Sequence, residues 1–287
     1  MSGKKFKTKL YSPAKVNLFL QVLGRREDGY HDLATLMQRI SLFDEMEFSL
    51  REEGIVVRCP GSGLPEDERN IAYRAVRAIL ERAGCRGGVE ITIHKRIPMA
   101  AGLGGGSSNA ASTLVVLNDI MGLAFSRDEL IEIGATIGAD VPFFIFEKTA
   151  WAFGIGDRLQ EADDIPILWF VLLNPGIEIS TKTVYEGLDL GLTKEGIEFS
   201  MQNFHTHTAE EIVGGLRNDL EDVTFRLFPE LANLKRVLLD HGALGSLMSG
   251  SGSTVFGIFE GEKEALKAAE SLSRMGMWSV YTAHSLL

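Results

Sequence analysis

A glycine-rich segment at residues 98–108 has the composition of a loop that binds phosphate. Its residues are Pro98, Met99, Ala100, Ala101, Gly102, Leu103, Gly104, Gly105, Gly106, Ser107 and Ser108. Glycines lack a Cβ, so the backbone of this loop can take positive φ angles and come close to a ligand. An alternating strand around residues 89–93 precedes the loop, and Ser107 is predicted to open a helix that runs to about residue 118. Because a helix N-terminus attracts anions, we expect phosphate to bind here.

The loop differs from two common phosphate-binding motifs. No Gly-Lys-[Ser/Thr] sequence follows it, as the Walker motif would require. The dinucleotide-binding fingerprint also fails, because Ser107 stands where its third glycine belongs. The other interpretation is a flexible surface loop, which the density of glycines between two regular elements disfavours.

Three further segments carry residues whose chemistry is ambiguous when each is taken alone. Lys15 lies in an apolar strand, where a lysine either extends to solvent or pairs with a carboxylate. Asp140 lies in a turn after a predicted helix, and an aspartate there usually caps its own backbone. Residues 249–253, Ser-Gly-Ser-Gly-Ser, join two predicted strands and form either a simple hairpin turn or a second surface for phosphate.

Composition limits the class of protein. The chain has 287 residues, with 29 basic and 39 acidic side chains, and its net charge of −10 disfavours nucleic acid as a partner. Four lysines near the N-terminus (4, 5, 7 and 9) are predicted to be solvated. The two cysteines, Cys59 and Cys85, form no metal or disulfide pattern and suit the cytoplasm. No secretory signal or membrane span is evident, so no membrane is expected as a partner either.

The order of predicted elements indicates two domains, at residues 1–160 and 161–287. The second half reads strand (167–173), helix (209–216), helix (229–240), strand (244–249), strand (254–259), helix (262–275) and strand (278–284). That order predicts a ferredoxin-like layout. The pair His205 and His207 offers no third ligand nearby and is interpreted as a polar surface turn rather than a metal site.

Taken together, three segments resemble the motifs of the GHMP small-molecule kinases in order and spacing. They are Lys15 with Asn17, the glycine-rich loop, and Gly250-Ser251-Gly252. Two more, Gly24-Arg-Arg-Glu-Asp-Gly-Tyr-His31 and Gly138-Ala-Asp-Val-Pro142, resemble one branch of that family in particular. The similarity extends from about residue 10 to about residue 260.

The resemblance implies an α+β fold with two domains, the first like domain 2 of ribosomal protein S5 and the second ferredoxin-like. It also implies that ATP is the phosphoryl donor and that Mg²⁺ accompanies it, with no protein ligand for the metal identified. Asp140 would accept the proton of the substrate hydroxyl, and Lys15 would be its cationic partner. Such a pair suits phosphoryl transfer, which depends mainly on positioning and charge neutralisation.

The same branch implies a small-molecule substrate, the cytidine diphosphate derivative of methylerythritol, phosphorylated on its 2-hydroxyl. That reaction belongs to the methylerythritol phosphate route to isoprenoid precursors. The residues expected to bind this substrate are Asn17, Tyr30, His31 and Tyr185. A neutral imidazole can both donate to and accept from a cytosine edge, and tyrosine rings can stack on its faces. No obligate protein partner is evident.

Two alternatives remain at this point. The first is a GHMP relative that acts on mevalonate, homoserine or galactose, against which the Gly29-Tyr30-His31 segment argues. The second is a nucleotide-binding regulatory protein without catalysis. Because a binding protein needs only the loop, the presence of both Lys15 and Asp140 argues against it.

Overall fold

The computed structural model describes residues 7–163, 165–188 and 208–287. Its strands are β1 (Lys7–Arg25), β2 (His31–Arg51), β3 (Gly54–Arg58), β4 (Gly88–His94), β5 (Ala150–Gly154), β6 (Arg158–Glu161), β7 (Trp169–Asn174), β8 (Arg217–Asn218), β9 (Gly245–Met248), β10 (Val255–Phe259) and β11 (Ser279–His284). Its helices are α1 (Ile71–Ala83), α2 (Gly105–Ile120), α3 (Arg127–Ala135), α4 (Val141–Phe146), α5 (Thr181–Glu186), α6 (Ala209–Gly215), α7 (Glu221–Leu227), α8 (Glu230–Asp240) and α9 (Glu262–Met275). The predicted surface turn at His205 and His207 lies outside the described residues.

The chain forms two compact units, each discontinuous in sequence. Unit one contains the chain up to Ala14, Phe43–Ile97 and Gly104–Glu147, and unit two contains Lys15–Leu42, Pro98–Leu103 and the chain from Lys148 onwards. The long strands β1 and β2 therefore each contribute one part to each unit. The predicted domain boundary at residue 160 stays a prediction.

In unit one, β4 pairs in parallel with β3 and antiparallel with the second part of β2. Val89, Ile91 and Ile93 of β4 are buried, whereas the intervening side chains are more exposed, which confirms the predicted alternation. Helices α1 and α2 pack against each other, and their buried side chains include Ile79 and Leu114.

Helix α2 begins at Gly105, so the predicted start at Ser107 is wrong by two residues. Gly104 occupies the N-cap position with a left-handed φ of 68° and makes no side-chain cap. A Cβ on Gly105 would lie 3.0 Å from the Ile97 Cγ2 atom. Close packing therefore favours glycine at position 105, although its helix propensity is low.

Unit two contains a four-stranded antiparallel sheet in the order β11-β7-β10-β9. Helices α8 and α9 contact this sheet, and their buried leucines (231, 234, 238 and 272) join its hydrophobic core. The sheet order and the helix positions confirm the predicted ferredoxin-like layout. Strand β7 begins at Trp169, two residues later than predicted, because its pairing with β10 and β11 begins at that residue.

The remaining strands of unit two place residues that carry the sequence motifs. The first part of β2 pairs with β5, and β5 pairs with β6. Strand β1 pairs with β8 at Phe19 and Leu20. In the described part of the chain, none of the helices has the length and apolar character that a membrane span requires.

Candidate active site

The first part of the glycine-rich loop, residues 98–103, contacts the turn between β9 and β10. Ser249 donates a hydrogen bond from Oγ to the carbonyl oxygen of Gly102 at 2.9 Å. The backbone N–H of Thr254 donates to the Ala101 carbonyl at 3.3 Å. Strands β9 and β10 pair antiparallel on either side of residues 249–253, which confirms a hairpin turn there. Contact of this turn with phosphate stays a prediction.

Lys15 and Asn17 lie on β1 beside the same loop. The backbone N–H of Lys15 donates to the carbonyl oxygen of Leu103 at 3.0 Å, and its Nζ donates to Asn17 Oδ1 at 2.6 Å. The Asn17 backbone N–H donates to Ser249 Oγ at 3.3 Å. Both side chains are buried, with Lys15 only 4% exposed. Unit two thus brings together the residues of three separate sequence motifs.

Two threonines that the sequence did not single out complete this cluster. Thr35 accepts a hydrogen bond from Asn17 Nδ2 at 2.8 Å and donates to the Phe19 carbonyl. The hydroxyls of Thr181 and Ser251 lie 3.0 Å apart. Thr35 is on β2 and Thr181 is in the first turn of α5, so no local spacing could have connected them with the motifs.

The second part of the loop lies in unit one, where it forms the first turn of α2. Ser108 is completely buried, and its hydroxyl shares a hydrogen bond of 2.6 Å with that of Ser12. Ser107 is partly exposed and Gly106 is exposed. The first N–H groups of a helix have no acceptor within the helix, so this turn can present them to an anion.

Asp140 occupies the N-cap position of α4 but makes no side-chain hydrogen bond that caps that helix. The side chain of Asp140 therefore does not cap α4, and its role in the reaction stays a prediction. The turn that carries it lies near the start of α2, because a Cβ on Gly138 would be 3.9 Å from Ser107 Oγ. The approach of Asp140 to Lys15 stays a prediction.

His31 and Tyr185 form a pair of stacked rings in unit two. Their centroids are 5.1 Å apart and their planes differ by 29°. Burial, with a smaller contribution from the charge of Arg25, lowers the pKa of His31 below its usual value of 6.5. The ring is therefore neutral at pH 7, and a neutral imidazole has one donor and one acceptor.

Tyr30 precedes His31 in the turn between β1 and β2, and its side chain is 61% exposed. Arg26 closes this turn, since its backbone N–H donates to the Tyr30 carbonyl at 2.8 Å. The guanidinium of Arg26 also binds the carboxylates of Asp28 and Asp32. An exposed aromatic ring in a turn closed by hydrogen bonds is suited to contact a ligand rather than a core.

One group of ligand-type side chains among the described residues lies away from these motifs. Ligand atoms of Glu45, Glu47 and His94 all lie within 4.8 Å of one another on β2 and β4. Each glutamate already forms an ion pair, Glu45 with Lys9 at 2.6 Å and Glu47 with Lys7 at 2.7 Å. Because these lysines neutralise the carboxylates, the group is not a metal site on this geometry.

Comparison with known proteins identifies the family. A model described as the GHMP kinases N terminal domain matches residues 70–148, and one described as GHMP kinases C terminal matches residues 200–276. A 4-diphosphocytidyl-2-C-methyl-D-erythritol kinase of Syntrophus aciditrophicus (strain SB) is 57% identical over 97% of this chain and 99% of its own length. The chain belongs to this family of GHMP kinases.

Other relatives of this GHMP kinase agree. The kinase of the same name from Syntrophotalea carbinolica is 51% identical over 94% of this chain and 96% of its own length. A crystal structure of 4-(cytidine 5'-diphospho)-2C-methyl-D-erythritol kinase has a TM-score of 0.82 at 37% identity, covering 97% of this chain and 99% of that one. The predicted family and two-domain GHMP fold are confirmed.

A more distant neighbour shows the fold alone. Homoserine kinase from Cytophaga hutchinsonii has a TM-score of 0.74 at 19% identity, covering 100% of this chain and 96% of that one. The GHMP kinase fold therefore accommodates different substrates, and the residues around the site must decide which one is used.

Proposed function

We propose that this GHMP kinase transfers the γ-phosphoryl group of ATP to the 2-hydroxyl of 4-diphosphocytidyl-2-C-methyl-D-erythritol, in the formation of isoprenoid precursors. The observation that carries the proposal is the stacked pair of His31 and Tyr185 in the same compact unit as Lys15 and the first part of the glycine-rich loop. Relatives of 57% and 51% identity that bear the name of this kinase support the choice of substrate.

The glycine-rich loop, residues 98–108, binds the triphosphate of ATP. Its backbone N–H groups contact the phosphate oxygens, and the first turn of α2 adds the favourable end of the helix dipole. Gly102 and Gly104 have positive φ angles of 78° and 68°, which are accessible to glycine at little cost. The loop therefore presents its backbone, rather than its side chains, to the nucleotide.

Asp140 and Lys15 carry the chemistry at the hydroxyl. Asp140 accepts the proton of the 2-hydroxyl while the hydroxyl oxygen of the substrate forms a bond to the γ-phosphorus. The bond from that phosphorus to the β–γ bridging oxygen breaks, and ADP leaves with the electron pair. Lys15 is buried and held by Asn17, so its ammonium group stabilises negative charge on the reacting oxygen without a large solvent rearrangement.

Mg²⁺ is proposed as the metal that accompanies ATP. Magnesium prefers oxygen ligands, and unit one supplies the Ser107 hydroxyl in the first turn of α2. This hydroxyl fits the metal chemically and would hold it together with phosphate oxygens. When bound, it neutralises charge that develops on the transferred phosphoryl group.

The cytosine of the substrate is read by aromatic and edge contacts. We expect His31 to hydrogen-bond the edge of the base, while Tyr30 and Tyr185 stack on its faces. The exposure of Tyr30 supports its part in this arrangement, and the stacked pair places Tyr185 directly beside His31. Asn17 is expected to contact the alcohol part of the substrate, because it bonds directly to Lys15.

The decisive experiment measures ATP turnover with a panel of alcohols. Turnover with the cytidylated methylerythritol, and much slower turnover with unmodified methylerythritol, mevalonate and homoserine, is the expected result. Equal rates with cytidylated and unmodified methylerythritol would exclude cytosine recognition. ATP binding without turnover of any alcohol would favour a regulatory nucleotide-binding protein instead.

The proposal also includes the setting of the enzyme. Cys59 and Cys85 are both free thiols, which supports a reducing compartment such as the cytoplasm. Residues 1–160 and 161–287 remain our proposed domains, and the two family models match one on each side of that boundary. Limited proteolysis that cleaves preferentially near residue 160 would support this division.

A further inference from the structure

Asp44, on β2, is a completely buried carboxylate that accepts hydrogen bonds from four donors. Its Oδ1 atom accepts from the backbone N–H groups of Arg96 at 2.8 Å and Ile97 at 3.0 Å. Its Oδ2 atom accepts from Asn109 Nδ2 at 3.0 Å and from the ammonium group of Lys95. All of these residues belong to unit one.

The donors lie on the two sides of the glycine-rich loop in sequence. Arg96 and Ile97 immediately precede Pro98, the first loop residue, and Asn109 immediately follows Ser108, the last one. Strand β4 ends at His94, so Asp44 supplies the acceptors that the backbone at residues 96 and 97 needs beyond the strand. One carboxylate therefore binds both the entry and the exit of the loop.

We propose that Asp44 is the positioning residue of the nucleotide loop, which it holds at a fixed span for the phosphates of ATP. This inference depends on the proposed binding of ATP at residues 98–108. Asp44 itself does not need to contact the nucleotide. It acts by limiting how far the strand end and the start of α2 can separate.

The contacts around Asp44 extend this effect to the serine at the end of the loop. Asn109 Nδ2 also donates to Ser12 Oγ at 3.2 Å, and Ser12 shares its hydrogen bond with Ser108. These side chains are buried, and hydrogen bonds to a charged acceptor in such surroundings are about twice as strong as neutral ones. The first turn of α2 is thus connected to Asp44 through side chains as well as through the chain.

Lys95 suggests a competing explanation, in which its ammonium group binds phosphate and Asp44 is only its counterion. The side chain of Lys95 is 9% exposed, and its Nζ also donates to Asn109 Oδ1 at 3.2 Å. The lysine is therefore directed into the buried network. Lys95→Met separates the two explanations, because Asp44 would keep three N–H donors without the lysine.

The experiment compares Asp44→Asn, Lys95→Met and a control, Val89→Ala. The amide introduced by Asp44→Asn would turn an NH₂ group or a weaker acceptor towards Lys95 and Asn109. Val89 is 1% exposed at the other end of β4, about 20 Å from Lys95 along the strand, so its truncation destabilises the same unit without altering the loop. Initial rates with ATP and the cytidylated substrate are measured at a temperature where all variants are folded.

We expect Asp44→Asn to raise KM for ATP about tenfold or more, with KM for the alcohol within about twofold of the parent. The amides of residues 96 and 97 should exchange with deuterium faster in the folded variant. Lys95→Met should change KM for ATP by less than about threefold, and Val89→Ala should lower Tm alone.

An unchanged KM for ATP in Asp44→Asn would overturn the inference, as would an equal rise in Val89→Ala. A rise in Lys95→Met as large as that in Asp44→Asn would assign the effect to the lysine charge. Should Asp44→Asn fail to fold, Asn109→Ala is the second variant. It removes the hydrogen bond from Asp44 to the exit side of the loop, keeps those to residues 96 and 97, and must still raise KM for ATP. Titration of the parent protein with an ATP analogue distinguishes failure of this inference from failure of the proposed function. If the parent does not bind the analogue, the proposed function itself is refuted.

Discussion

Gly102 packs against Ser249 so closely that a Cβ at residue 102 would lie 1.9 Å from the Ser249 carbonyl oxygen. No side chain fits that space, since real Cβ contacts are longer by more than an ångström. The φ angle of Gly102 is also left-handed, at 78°. Two glycine-containing segments, 147 positions apart, are thus held in backbone contact that only glycine permits.

Gly102→Ala should therefore separate the loop from the 249–253 turn and lower kcat/KM for ATP by about 100-fold or more. Gly122→Ala is the matched control, because Gly122 has a similar φ of 63° with nothing within 4 Å of a new Cβ. The control should lose about 1 kcal/mol of stability from backbone strain and keep its kinetics. Equal kinetic losses in both variants would refute a specific role for the contact.

Asp140→Asn should lower kcat by about 100-fold or more, because the amide cannot accept the hydroxyl proton. Affinity for an ATP analogue should remain nearly unchanged. Asp128→Asn, an exposed aspartate in the first turn of α3, is the control for removal of one negative charge. Near-normal turnover by Asp140→Asn would remove this residue from the mechanism.

Tyr185→Ala should raise KM for the cytidylated substrate about fivefold, since loss of one aromatic stack removes about 1 kcal/mol. Tyr185→Phe retains the ring and should keep KM near the parent value. Both variants should show an unchanged KM for ATP. A rise in Tyr185→Phe equal to that in Tyr185→Ala would show that the hydroxyl, rather than the ring, is what the substrate needs.

His31→Ala should raise KM for the cytidylated substrate about tenfold or more, because a polar edge of the base loses its partner. His94→Ala provides the control, since His94 is exposed at the end of β4. KM for ATP should stay unchanged in both variants. Unchanged KM for the cytidylated substrate in His31→Ala would exclude this edge contact.

The lowered pKa of His31 predicts a direction for the pH dependence of substrate binding. Burial disfavours the imidazolium, so the ring is neutral above pH 6.5 and becomes charged only at a lower pH. KM for the cytidylated substrate should therefore be constant from pH 8 to about 6.5 and rise as the pH falls below the folded pKa. His31→Gln should abolish that rise, which steady-state kinetics from pH 5.5 to 8 would test.

The same shift has a consequence for folding. The unfolded chain binds a proton at His31 near pH 6.5, whereas the folded chain binds it at lower pH. The contribution of His31 to stability is therefore present above pH 6.5 and is lost as the pH falls through this interval. The difference in Tm between the parent and His31→Gln should therefore be smaller at low pH than at pH 7.5.

Local patterns in the sequence determined many of the secondary-structure elements and the conformation of the loop. The positive φ angles of the loop glycines, the alternation in β4 and the order of elements after residue 167 each depend on neighbours a few positions away, so each was predicted correctly in kind. The start of α2 was not. Ser107 looks like a helix cap in isolation, but the close packing of Gly105 on Ile97 allows the helix to begin earlier.

Contacts between distant positions were decided by the tertiary structure alone. Nothing in the residues around Asp44 or Thr35 indicates that they support a motif, because their partners lie 16 to 65 positions away. The same holds for the bond between Lys15 and Leu103, which depends on how β1 passes the loop. Residue type and spacing specify the local backbone geometry and the functional groups that are available. The packing of whole elements decides which of those groups come into contact.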